Sequence, residues 1–200
     1  MIKKRIIQLR KLMDLNNLDG YLIPKNDAYF SEFSKPDRLK TISNFSGSAG
    51  YAVILKKENF LFVDGRYTLQ AKLQSENYFK IIEIPKYSLV NILKKYKKKL
   101  SIGFDPQLFT SINLKKFNKV CKLISIKKNL IDKIYKLKDK NQITPFYSIS
   151  PKITGENLKS KVNRLINKIK SQNIENIFIS APENVAWLLN LRGKDNPNSP

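Results

Sequence analysis

The stretch that decides the fold is Ser43 to Ala71, SNFSGSAGYAVILKKENFLFVDGRYTLQA. A small-residue turn, Ser46-Gly47-Ser48-Ala49-Gly50, leads into two apolar runs, Tyr51–Leu55 and Phe60–Val63. The four polar residues between them, Lys56-Lys57-Glu58-Asn59, read as a hairpin loop. Val63 then runs into Asp64-Gly65-Arg66-Tyr67 and a helix in which Leu69, Ala71 and Leu73 read as the apolar face. Asp64 is placed to cap that helix with its carboxylate, and Gly65 to let the backbone turn sharply. The prediction is a β-hairpin that feeds a helix through a tight, charged corner.

Outward from this corner, strand and helix patterns alternate. Ile2, Ile6, Leu9 and Met13 keep helical spacing, and Gly20–Ile23 is a short strand stopped by Pro24. Asn26 to Lys40 is a polar loop or a loop with a short helix. Phe79–Ile84, Leu100–Phe104 and Leu123–Ile126 read as strands, with helices at Leu89–Tyr96 and Ser111–Lys122. The fold class is therefore α/β: a mixed β-sheet flanked by helices, with at least one antiparallel pair from the hairpin.

The rhythm breaks between Asn129 and Thr154, where prolines stand at 145 and 151. Residues 1–128 form one domain, 129–155 an ordered connector, and 156–200 the start of a second, similar α/β domain. That second unit reads as a helix with Leu158, Val162, Leu165, Ile166 and Ile169, a strand Ile174–Ser180, and a helix from Pro182. These elements cannot bury a sheet of their own, so the second domain is expected to be incomplete. Trp187 reads as part of its core.

The chain carries 38 basic and 16 acidic residues, a net charge of +22, and no histidine. The lysines run from Lys3 to Lys194, without an interleaved aromatic platform. The charge is thus read as solvated surface, and nucleic acid is not expected as a partner. One cysteine, Cys121, precludes an internal disulfide and falls at helical spacing with Leu114 and Phe117, a core position. The basic N-terminus lacks the apolar stretch of a signal peptide, and no run of about 18 apolar residues could span a membrane. A cytoplasmic protein is expected.

No catalytic set is visible. A two-metal hydrolase needs clustered carboxylates and histidines that hold two metals about 3.5–4 Å apart, and the acids here are scattered. Ser46 and Ser48 have no histidine to activate them. The glycine turn could offer amides to an anion or could serve close packing. Arg66 is the candidate binding residue, a rigid guanidinium fork beside the corner, suited either to a carboxylate ligand or to a structural pair with Asp37 or Glu32.

Three motifs in order carry a resemblance to the creatinase / aminopeptidase P family. Asn44-Phe45-Ser46-Gly47-Ser48-Ala49-Gly50 is similar to its G-F-T-G-S-A-G, and Asp64–Ala71 to its D-G-R-Y-x-L-Q-A. Ala181–Gly193 resembles A-P-D-S-I-A-W-L-x-N-I-R-G. Tyr29 and Asn198 stand where that family usually has histidine. The resemblance is to the N-terminal region of bacterial three-domain Xaa-Pro aminopeptidases. It implies a metallopeptidase that releases the residue preceding proline, with two divalent metals, usually manganese, in a C-terminal pita-bread domain outside this chain. It also implies a peptide substrate with proline at its second position, a homodimer in full-length form, and Arg66 as a substrate-binding residue. This chain alone is then expected to be inactive, with no catalytic or metal-binding residue. A stand-alone, non-catalytic binding module is the alternative, and behind it a basic nucleic-acid-binding protein.

Overall fold

The computed structural model describes residues 1–30, 36–135 and 144–194. Glu32, Asn198 and part of the connector fall outside these. The chain divides into two units, Met1–Lys138 and Asp139–Pro200.

The first unit is built on a six-stranded sheet in the order β4-β3-β2-β1-β5-β6. Its strands are β1 (Gly20–Pro24), β2 (Tyr51–Leu55), β3 (Asn59–Asp64), β4 (Lys80–Ile84), β5 (Ser101–Phe104) and β6 (Lys122–Ser125). The hairpin β2–β3 is antiparallel and β1 is antiparallel to β2, whereas β3–β4, β1–β5 and β5–β6 are parallel. Only β2 therefore runs against the other five.

Because strand side chains alternate between faces, the apolar runs feed two cores. Tyr21, Ile23, Ala52, Ile54, Leu61 and Val63 point to one face. Helices α1 (Ile2–Leu15), α2 (Arg38–Ser43), α3 (Thr68–Ser75) and α6 (Leu130–Ile134) bring apolar residues to that side. Leu22, Val53, Leu55, Phe60, Phe62 and Ile102 point to the other, beneath α4 (Leu89–Leu93) and α5 (Ser111–Asn118). Helix α1 contributes Ile2, Ile6, Leu9 and Met13, the spacing read from sequence, all buried. Cys121 is buried in the second core, and burial pushes its thiol up to about 11.

Three readings change. Leu69 and Leu73 of α3 are 69% and 70% exposed, while Ala71 and Ser75 are buried. Residues two apart lie about 200° around a helix, so Leu69, Ala71 and Leu73 could not share a face. The buried stripe follows the four-residue spacing of Tyr67, Ala71 and Ser75. Gly65 has no positive φ, and a Cβ there would meet only Glu83 Oε1 at 3.5 Å, an ordinary contact. The corner is made by the carboxylate of Asp64, which accepts from Arg66 N at 3.0 Å. Finally, Leu130 and Ile131, read as connector, are fully buried in the first core. Helix α6 is fixed there by a two-pronged Arg38–Asp132 pair, with both bonds at 2.8 Å.

The second unit contains α7 (Pro151–Thr154), α8 (Leu158–Lys170) and α9 (Pro182–Leu189). Its strands β7 (Tyr147–Ser148) and β8 (Leu191–Arg192) form a two-residue antiparallel pair. Pro182 does sit at the first turn of its helix. Residues 174–180 form no strand, and Phe178 is 91% exposed. A strand exists through its ladder, and among the described residues this segment has no partner. Trp187 is half exposed rather than core. Lys161 lies beneath it, with Nζ 4.2 Å from the ring centroid. That buried ammonium donates to Trp187 O at 2.8 Å and Asn190 Oδ1 at 2.7 Å. It closes the carbonyl end of α9, where a cation favours the helix dipole. Lys161, Leu165, Ile177, Ile179, Trp187 and Leu188 line a groove of about 570 Å³.

Candidate functional site

With five strands parallel, their carboxyl ends share one edge of the sheet with the amino end of β2. Ligands of open α/β sheets bind outside this edge, where loops rather than ladders end the strands. Here it gathers Lys25, Asn26 and Asp27 after β1, Ser46–Gly50 before β2, Asp64–Tyr67 after β3 and Asp105 after β5.

The Ser46–Gly50 loop is held from within. Gly50 has φ +148°, and a Cβ there would lie 2.7 Å from Phe62 O. Gly47 lies flat on the Phe45 ring, where a Cβ would come within 2.2 Å of Phe45 Cζ. Close packing is thus the use these glycines have. The Ser46 amide donates to Gln74 Oε1 at 2.8 Å, and Ser48 Oγ bonds Tyr67 OH at 2.8 Å. These bonds fasten the loop to α3 and to the corner.

At the corner Asp64 acts twice. Its Oδ1 accepts the Arg66 amide, and its carboxylate also takes Arg66 Nε at 3.2 Å and Nη2 at 2.8 Å. The Arg66 guanidinium lies 5.3 Å from the Tyr67 ring centroid, and its side chain is 76% exposed. Hydrogen bonding from Arg66 holds the Asp64 carboxyl below the usual carboxylate range. Two of the fork's donors are therefore aimed by a residue of the same turn. Their local partner is Asp64, not Asp37. Asp37 instead binds Lys25 Nζ at 2.5 Å and caps α2 by accepting from Lys40 N at 2.9 Å.

Beside this corner, Asn26 Nδ2 donates to Leu108 O at 3.1 Å, tying the loop after β1 to the one after β5. Tyr29 is 72% exposed, and its amide donates to Asp27 Oδ1 at 2.9 Å. The edge thus presents an oriented guanidinium, an aromatic ring and hydroxyls. Among the described residues it presents no base paired with a nucleophile, and no three acids or thiols group as a metal site. Sequence reasoning missed the Asp64–Arg66 fork and the Ser48–Tyr67 bond. The signal for the first was available: an acid two residues before an arginine, across a capped turn.

Models of the creatinase/prolidase N-terminal domain match residues 5–134 and, separately, 137–200. Xaa-Pro aminopeptidase 1 of Dictyostelium discoideum is 33% identical over 97% of this chain and 34% of its own length. A probable Xaa-Pro aminopeptidase P of Talaromyces marneffei is 32% identical over 98% of this chain and 32% of its own. Among solved structures, an X-prolyl aminopeptidase from Caenorhabditis elegans superposes with TM-score 0.83 at 29% identity. That match covers 98% of this chain and 35% of the nematode chain, a cytosolic enzyme with a di-nuclear active site. The chain thus spans about a third of the length of these relatives. All three are eukaryotic, so they lend no support to a specifically bacterial assignment.

Proposed function

Because the chain belongs to the creatinase/prolidase N-terminal domain family, we propose that it is the non-catalytic N-terminal part of a metal-dependent Xaa-Pro aminopeptidase. Its substrate is a peptide with proline at the second position, and its setting is a cytoplasmic homodimer. The observation that carries the reading is the Asp64–Arg66 corner, exposed at the carboxyl edge, in a chain similar to such enzymes over nearly its whole length. Arg66 supplies hydrogen bonds to a peptide carbonyl or carboxylate at the substrate entrance, while Asp64 limits the rotamers the guanidinium must give up on binding. A division into two domains, with α6 counted in the first, belongs to the same proposal.

The two divalent metals of such an enzyme, manganese in this reading, would polarise the scissile carbonyl and activate water. The residues here do not fit them: the chain has no histidine and no clustered acids among the described residues. They belong to a catalytic domain.

The test uses a longer polypeptide in which this region precedes a catalytic domain. A charge-assisted bond contributes roughly 1.5–3 kcal/mol, so Arg66→Ala should lower kcat/KM about 10- to 100-fold. Arg66→Lys should recover part of it, since a point charge cannot reproduce the fork. Melting temperature is measured on the same variants. A loss of stability with unchanged kinetics would end the substrate-binding role.

A further inference from the structure

The lysines run the length of the chain, but the net charge does not spread with them. Residues 94–128 contain eleven lysines and a single acid, Asp105, and so hold ten of the net +22. Asp105 is buried and accepts from Asn129 Nδ2 at 2.9 Å. All eleven lysines are exposed. Among the described residues one of them, Lys98, has a carboxylate within ion-pair reach, Asp19 at 3.5 Å.

The fold gathers them. The Lys94–Lys99 run leads from α4 into β5, and Lys122 N bonds Leu100 O at 2.8 Å, which brings Lys99 and Lys122 to the same end of the sheet. Lys115, Lys116 and Lys119 lie on or just after α5, the helix that precedes β6. Lys127 and Lys128 follow the far end of β6, at most about 17–20 Å from Lys122 at the rise of an extended chain. β6 is an edge strand, and edge strands often carry lysine to block pairing with other chains. That accounts for Lys122 and its neighbours, not for the charges on α5 and in the segments that follow α4 and β6.

We propose that this lysine-rich face docks the phosphate backbone of duplex nucleic acid. A rigid, densely charged polyanion rewards clustered ammonium groups through counterion release. Its backbone can follow charges spread over about 17–20 Å, about half of a duplex turn of about 34 Å. Single strands fit less well, because no aromatic side chain in residues 94–128 is exposed for stacking. An anionic membrane fits less well, because Ile112 alone among the large apolar residues of this stretch is exposed for insertion. All eleven basic residues here are lysines, point charges rather than forks, so contact should be independent of base sequence.

The test is fluorescence anisotropy of the full chain with a labelled duplex two turns long, over a range of salt. Contact with about five phosphates predicts a slope of log K against log salt near −4.5. Lys115→Glu/Lys116→Glu/Lys119→Glu should weaken binding by at least about 30-fold, against under about 3-fold for Lys3→Glu/Lys4→Glu/Lys11→Glu on α1. The second triple matches the first in net charge, so equal losses would overturn the proposal. A slope flatter than about −2 would also overturn it. So would tighter binding, at equal salt, to polyglutamate or to phosphatidylserine vesicles. If the first triple fails to fold, Lys94→Glu/Lys127→Glu/Lys128→Glu, with the same change in net charge, carries the same comparison.

Discussion

The two units bury opposite kinds of residue. Every buried apolar residue among the described residues lies in the first unit, on one face or the other of its sheet. In the second unit the buried residues are Lys161 and Asn190, both polar. Helix α8 carries a clear apolar stripe. What differs is the number of layers. A sheet with helices on both faces removes both sets of alternating side chains from water, whereas α8 and α9 leave an open groove along Leu165, Trp187 and Leu188. Where no further layer completes a core, the most enclosed position goes to an ammonium that can bond the end of a helix.

The strongest way to break this comparison is to empty one core. Phe62 is fully buried, stacked on Tyr51 with centroids 4.5 Å apart. Phe62→Ala should cost about 3–5 kcal/mol. Leu165→Ala in α8, on a half-buried site, should cost under about 1.5 kcal/mol, since solvent fills the space it leaves. Urea unfolding followed by tyrosine circular dichroism checks the first, and Trp187 fluorescence the second. Limited proteolysis should leave a fragment of about the first 130 residues, and Phe62→Ala should make that fragment disappear. Equal costs at the two sites, or a first cut inside Tyr51–Ala71, would erase the contrast.

How much of this was legible follows from what each element depends on. The hairpin, α1 and the Asp64 cap rest on local pattern and turn chemistry, and all of them stand in the structure. Residues 174–180 have the composition of a strand, but a strand needs a partner that composition cannot supply. Ranking Leu69 and Leu73 as core came from counting apolar residues without counting angles. The Arg38–Asp132 fork joins residues 94 apart in sequence, and no local rule reaches that far. At the corner, Arg66 was readable, but its pairing with Asp64 was missed although the spacing offered it, because Asp64 was assigned to the cap and Asp37 or Glu32 to the pair.

A smaller effect sharpens the account of the second unit. Lys161→Met keeps most of the stem but removes the donors to Trp187 O and Asn190 Oδ1. Leaving Asn190 Oδ1 unmet, and Trp187 O with the 3.4 Å bond from Asn190 N, in an enclosed site should cost about 1–3 kcal/mol. The loss should fall on the second unit alone. Trp187 is the single tryptophan of the chain, so its fluorescence follows that unit, while tyrosine circular dichroism, dominated by the first unit, should not change. A matching loss in both signals would mean that the units do not unfold separately.

The smallest expected effect is a titration. Glu156 accepts from Ser160 Oγ at 2.7 Å and from Arg164 Nη2 at 2.7 Å. Those bonds, with Arg164 foremost, hold its carboxyl below the ordinary glutamate value of 4.5. A carboxyl depressed in the folded state contributes its stabilisation in full above the ordinary value, and loses it as pH falls through the depressed one. Because the pair is exposed, salt should weaken it further. Arg164 also lies 5.8 Å from the Trp187 ring centroid, so releasing it from Glu156 changes what the indole faces. Acidification should therefore shift Trp187 emission with a midpoint below 4.5, and high salt should move that midpoint upward toward 4.5. In Glu156→Gln the step should be absent. Glu58 provides the counterpart in the first unit, depressed by hydrogen bonds from Lys80 and Tyr96. Glu58→Gln should leave the tryptophan titration as it was and alter only the acid limb of the tyrosine signal. A tryptophan step that survives Glu156→Gln, or vanishes in Glu58→Gln, would show that the indole reports on more than its own unit.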